Sequence, residues 1–196
     1  MSTLSKKKVI GITGSMGSGK SEVVSILKKK YPVIDCDKIN AQLLEKGEEG
    51  YNQLIQLDWI VLDENKNIDK KEMASQMFAS KSKKETVESI LHPLIFERIN
   101  QWVSIQSSPL VFVEVPLLFE IKAQSHFDRV WCVVCDEKTA LNRLMTYRNF
   151  TIEQARARLA HQLDPAYKSA LSDTVIENNG TLEQLEQKVL QAIERE

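Results

Sequence analysis

The stretch Gly14-Ser15-Met16-Gly17-Ser18-Gly19-Lys20-Ser21 limits the folds open to this chain more than any other part of it. It fits G-x-x-x-x-G-K-[ST], the pattern of a phosphate-binding loop. Before it, Lys8-Val9-Ile10-Gly11-Ile12-Thr13 is β-branched and reads as a buried strand. After it, Val23, Val24, Ile26 and Leu27 suit one face of a helix running from Glu22 to Lys30. Gly14, Gly17 and Gly19 can adopt backbone angles closed to other residues, so several N–H groups can face one hollow. The start of the helix adds unpaired N–H groups and the positive end of its dipole. In such a cradle Lys20 reaches the β- and γ-phosphates and the Ser21 hydroxyl meets Mg²⁺. The expected nucleotide-binding set is Gly14 to Ser21 with Glu22, and the expected ligands are ATP and Mg²⁺. The plain alternative is a glycine-rich turn with no ligand.

Composition narrows the partners. The chain has 196 residues, 42% hydrophobic and 27% charged, which suits a water-soluble globular fold. A net charge of -1 gives no bulk electrostatic case for nucleic acid or membrane as partner. No apolar run is long enough to span a bilayer, and the first residues lack the pattern of a signal peptide. Cytoplasm is the default location, and a monomer or weak homo-oligomer the default state. Of the three cysteines, Cys36, Cys132 and Cys135, the last two have C-x-x-C spacing. Cys132 lies within what reads as a buried strand, where positions three apart point to opposite faces, and no histidine or second pair completes a zinc site, so core packing is the better reading.

Along the chain, Pro32-Val33-Ile34-Asp35 reads as a second strand, followed by a helix through Ile39 and Leu43. Residues 48–106 are mainly helical in pattern. Asp69 suits an N-cap for Lys70 to Ala79, and a long helical stretch from Lys83 to Ile105 should break near His92-Pro93. Strands return at Leu110 to Glu114, Val130 to Val134 and Asp173 to Glu177. Asp136, Thr151 and Thr181 suit helix caps. Alternating strands and helices predict an α/β fold with a parallel five-stranded sheet covered by helices on both faces. The expected layout is a core of about 1–47, 107–140 and 170–196, with a helical insertion of about 48–106 that covers or binds a second substrate.

Ligands in such sheets bind beyond the carboxyl ends of the strands. Glu114 ends an apolar strand and could hold Mg²⁺ through a water, as a Walker-B acid does. Asp37 lies just past the second strand. It could take the proton of an alcohol acceptor, or it could cap the helix through Ile39; the sequence weighs the two evenly. Arg143, Arg148, Arg156 and Arg158 share one helical region. Arginines there could offset charge on the γ-phosphoryl oxygens or simply face solvent. His92 could touch a substrate or be structural. Trp59, Trp102 and Trp131 read as packing residues.

Taken together, these segments resemble the dephospho-coenzyme A kinase family nearly end to end. The chain shares its opening Ile10 to Ser21, its I-D-x-D segment at Ile34 to Asp37 and its H-P motif at His92-Pro93. It also shares Pro116-Leu117-Leu118-Phe119-Glu120, an R-x-x-x-Q at Arg158 to Gln162, and the ending Asp173 to Gly180. The resemblance implies a P-loop kinase core, a coenzyme-binding insertion and a mobile helical lid of about 141–169. It implies ATP-dependent phosphorylation of the ribose 3′-hydroxyl of dephospho-CoA. It places Asp37 as catalytic base, with Lys20, Arg143 and Arg148 as further catalytic groups. Asn178 and Gly180 fall near the adenine, and His92, Leu118, Phe119 and Glu120 beside the substrate. The sequence departs from the family by lacking a glycine in Leu57 to Ile60 and by Lys70-Lys71 where arginine is common. Other readings are a nucleoside or nucleoside-monophosphate kinase and a nucleotide-dependent switch. The switch needs an N-K-x-D motif, whose aspartate Asn65-Lys66-Asn67-Ile68 does not supply.

Overall fold

A computed structural model describes residues 7–196, and two compact units form within it. Residues 1–6, expected to open the core and to lack a leader segment, lie outside the described residues. One unit joins the residues up to Ile34 with Gln106–Glu196; the other is Asp35–Ile105.

The first unit is built on β1 (Lys8–Gly14), β2 (Val33–Asp35), β3 (Leu110–Glu114), β4 (Arg129–Val134) and β5 (Thr174–Glu177). Among the described residues they make one sheet in the order β2-β3-β1-β4-β5, so the strand leading into the phosphate loop is central. The pairs β1–β3, β1–β4 and β4–β5 are parallel. Strands covered on both faces need apolar side chains on both, which is why β1, β3 and β4 read as continuous hydrophobic runs. On one face Ile10, Ile12, Phe112, Trp131, Val133 and Ile176 pack with α1 (Lys20–Lys28) and α9 (Leu182–Ile193). Phe112 and Trp131 meet edge to face with centroids 5.2 Å apart. On the other face Gly11 leaves room for Leu118 and Phe127; an added Cβ would lie 2.8 Å from each.

Between β4 and β5 the chain forms α6 (Glu137–Arg148), α7 (Ile152–Ala160) and α8 (Pro165–Ala170). Asp136 caps α6, and Thr151 with Gln154 forms a capping box on α7, as Thr181 and Gln184 do on α9. Asn149 ends α6 in the left-handed conformation at φ 53°, which asparagine tolerates better than most residues.

The second unit consists of α2 (Cys36–Leu43), α3 (Glu49–Leu54), α4 (Lys70–Ala79) and α5 (Lys81–Ile105). Helices α2, α3 and α4 each pack on α5. The unit therefore starts at Asp35 and not near residue 48, because α2 belongs to this bundle. Asp69 caps α4 by accepting from the amides of Lys71 and Glu72. Contrary to expectation, α5 runs unbroken through His92 and Pro93. Proline removes one helical donor. Burial of Val87, Leu91, Leu94 and Ile99 on one side holds the helix across that gap.

Candidate active site

The phosphate loop hangs from the end of β1 and closes on α1, as its sequence predicts. Gly17 and Gly19 have φ of 79° and 85°, the left-handed region that favours glycine. Gly19 is the N-cap of α1, and no side chain caps that end. The Glu22 amide donates to the Gly19 carbonyl at 3.0 Å; the amides of Lys20 and Ser21 precede that first bond of the helix and stay available for an anion. The space beneath the loop is tight. A Cβ on Gly19 would lie 2.1 Å from Asn178 Nδ2, and one on Gly17 would lie 2.9 Å from the Ala140 carbonyl oxygen.

The loop carbonyls are braced from outside. Arg143 Nη1 donates to the carbonyls of Gly17 and Ser18 at 3.2 and 3.3 Å. The Asn178 side-chain amide donates to the Ser18 carbonyl at 2.9 Å, and Asn178 is only 5% exposed. Cys135 Sγ lies 3.6 Å from the Gly17 oxygen. Its half-buried site pushes the thiol pKa up, with desolvation the main cause, so the thiol keeps the proton it donates. Each peptide whose carbonyl is held outward carries its N–H on the opposite side, so these contacts help shape the amide cradle. Arg143 and Asn178, expected at the nucleotide, are thus placed directly against the loop backbone.

Lys20 and Glu114 form an ion pair, each half-buried. The register that sets Ile12 opposite Glu114 brings the end of β3 level with the loop. Ser21 and Glu22 are exposed in the first turn of α1, while the hydroxyls of Ser15 and Ser18 are buried without a partner among the described residues. Mg²⁺ prefers oxygen donors, and the Ser21 hydroxyl and the Glu114 carboxylate are both of that kind.

The lid residues divide. Gln162, in the link between α7 and α8, accepts from the Met16 amide at 2.8 Å. Arg156 and Gln162 line a cavity of about 420 Å³ together with Ser15, Met16, Cys135 and Ala140. Arg158 stacks over Phe150 at 4.6 Å, within the lid. Arg148 is exposed at the end of α6.

Of the residues expected beside the substrate, Leu118 and Phe119 are packed inward, at 0% and 4% exposure. Glu120 Oε1 lies 2.6 Å from the fully buried Nζ of Lys168 on α8. Neither group is aligned for a hydrogen bond with a described residue. Gly180 precedes α9, where a Cβ would strike the capping-box side chain of Gln184. In the second unit His92 is half-buried on α5, and Asp37 is exposed in the first turn of α2. Asp37 is not the cap of that helix. Asp35 is, accepting from the amides of Asp37 and Lys38 at 2.9 and 3.4 Å.

Sequence reading assigned no role to Gln162 or Lys168, and read Cys135 as core packing. Gln162 had a signal, as the last residue of the Arg158 to Gln162 match. Lys168 had none, since a lysine in a polar helix reads as solvated until its burial is seen.

Comparison with known proteins agrees with this geometry. The dephospho-CoA kinase family model matches residues 8–184. A Streptococcus agalactiae dephospho-CoA kinase is 32% identical, covering 96% of this chain and 98% of its own. A Thermus thermophilus crystal structure superposes with a TM-score of 0.84 at 30% identity, covering 97% of each chain. The dephospho-CoA kinase from Campylobacter jejuni does so with a TM-score of 0.71 at 26% identity, covering 96% of each. With a braced phosphate loop at its centre and a family match over nearly its whole length, the chain belongs to the dephospho-CoA kinase family.

Proposed function

We infer that this protein transfers the γ-phosphoryl group of ATP to the ribose 3′-hydroxyl of dephospho-CoA, giving CoA and ADP in the last step of CoA synthesis. The observation that carries the reading is a formed phosphate loop inside a family match over residues 8–184. That match favours dephospho-CoA over a nucleoside as acceptor.

In this reading ATP lies in the loop, held by amides of the glycine turn and by those of Lys20 and Ser21 at the start of α1. Lys20 exchanges Glu114 for the β- and γ-phosphates. Ser21 and Glu114 would hold Mg²⁺, which would neutralise charge on the phosphate oxygens. Asp37 takes the proton of the 3′-hydroxyl as its oxygen attacks phosphorus and ADP leaves. Its exposed carboxylate, which is not the cap of α2, supports this role. Arg143 fixes the loop carbonyls, and Arg148 reaches the transferring group from the lid. Asn178 and Gly180 border the adenine. His92 and the segment Leu118 to Glu120 serve the coenzyme side, with Leu118 and Phe119 shaping that segment from within.

Among the described residues no helix is long and apolar enough to cross a membrane. With a net charge of -1, we place the enzyme in the cytoplasm, as a monomer or weak homo-oligomer that does not bind nucleic acid.

The test is mass-spectrometric detection of CoA made from dephospho-CoA, ATP and Mg²⁺, with ATP replaced by GTP in a parallel reaction. A product heavier by one phosphoryl group supports the reading. Its absence, with ATP bound and the protein folded, refutes it.

A further inference from the structure

We propose that Gln162 is a positioning residue, a latch that ties the lid to the backbone of the phosphate loop and holds the loop ready for ATP. Its side-chain oxygen accepts from the Met16 amide at 2.8 Å, across 146 positions of sequence. Met16 directly precedes Gly17, whose left-handed conformation begins the turn of the cradle. The neighbouring lid helix has little else to fix it. Helix α7 packs on α6 and buries only Ala155 outright. Helix α8, on the far side of the link, is anchored by the buried Lys168 beside Glu120. Gln162 therefore sits between an anchored helix and a loosely held one, and its amide reaches the loop.

The latch acts in the free protein, and that determines its effect. A hydrogen bond formed in the free protein removes disorder that ATP binding would otherwise have to remove. Losing it weakens ATP binding, while the bound complex, ordered by its own phosphate contacts, still turns over. The net strength of one such bond corresponds to roughly a fivefold change in affinity. The inference rests on ATP being the co-substrate. Its first measurement does not.

That measurement is hydrogen exchange of the Met16 amide by NMR, in the nucleotide-free protein, for wild type, Gln162→Met and Gln162→Glu. Methionine matches the shape but has no oxygen acceptor; glutamate keeps one. Protection of Met16 should fall about fivefold or more in Gln162→Met and persist in Gln162→Glu. Steady-state kinetics of Gln162→Met should then show a KM for ATP raised about fivefold, with kcat and the KM for dephospho-CoA within about twofold of wild type. Equal Met16 exchange in all three proteins would overturn the latch. So would an unchanged KM for ATP, or a fall in kcat alone. A matching Tm for Gln162→Met excludes general unfolding as the cause. If neither protein makes CoA while Met16 exchange responds as stated, the assigned reaction is wrong and the latch stands.

Discussion

The ammonium of Lys20 is paired with the carboxylate of Glu114 at the point where β1 and β3 deliver their ends to the phosphate loop. Each residue is thereby held in place by the other; in the proposed reaction each changes partner when ATP and Mg²⁺ arrive. Removing the negative charge should act in opposite directions on the two ligands. Glu114→Gln should bind metal-free ATP about threefold to tenfold more tightly, because Lys20 no longer has a competing partner. The same variant should lose Mg²⁺-dependent turnover by roughly a hundredfold. Calorimetry with EDTA and with Mg²⁺ checks both.

The two aspartates around the start of α2 should separate structure from chemistry. Asp35 caps the helix, so Asp35→Ala should cost about 1 kcal/mol of stability, read from thermal unfolding. Asp37 does not, so Asp37→Asn should leave Tm and ATP binding near wild type and lower kcat by roughly 10² to 10⁴. Undiminished turnover in Asp37→Asn would remove it from the role of base.

Lys168 and Glu120 lie 2.6 Å apart, and the lysine is wholly buried. Replacing only the lysine strands a carboxylate out of water. Lys168→Met should destabilise the protein by about 3 kcal/mol. Adding Glu120→Gln should recover part of that loss, since the stranded charge is gone. Urea unfolding of the two variants measures the difference.

Burial pushes the Cys132 thiol up to about 11. The unfolded chain would ionise this thiol near its ordinary value of about 8.5. Between those values the unfolded state has lost its proton and the folded state retains it, so stability falls as pH rises through that window and is fully present below it. Cys132→Ala should flatten this decline in Tm between pH 8 and 10.5. In the wild-type protein at pH 7, iodoacetamide should leave Cys132 unmodified, as intact-mass measurement would show.

Local chemistry made much of this molecule readable from its sequence. Asp69, Asp136, Thr151 and Thr181 each cap the helix expected of them, because a cap needs only its own side chain and the next few amides. The strand, loop and helix around Lys20 were legible for the same reason. Failures came where a distant partner decides. Pro93 reads as a helix breaker, but packing along Val87, Leu91, Leu94 and Ile99 carries α5 past it. Asp37 reads as an equal candidate for a cap that Asp35 provides, because the helix begins two residues earlier than a cap at Asp37 requires. The pairing of Met16 with Gln162 and of Glu120 with Lys168 spans too much sequence for periodicity to reveal.

Asn178 follows an edge strand, β5, yet its side-chain amide grips the turn that hangs from the central strand, β1. The periphery of the sheet therefore has a direct hold on its middle. Substitutions that loosen β5 or its junction with α9 should reveal themselves first as poor nucleotide retention, well before the protein melts or precipitates, so a screen for solubility alone would pass them.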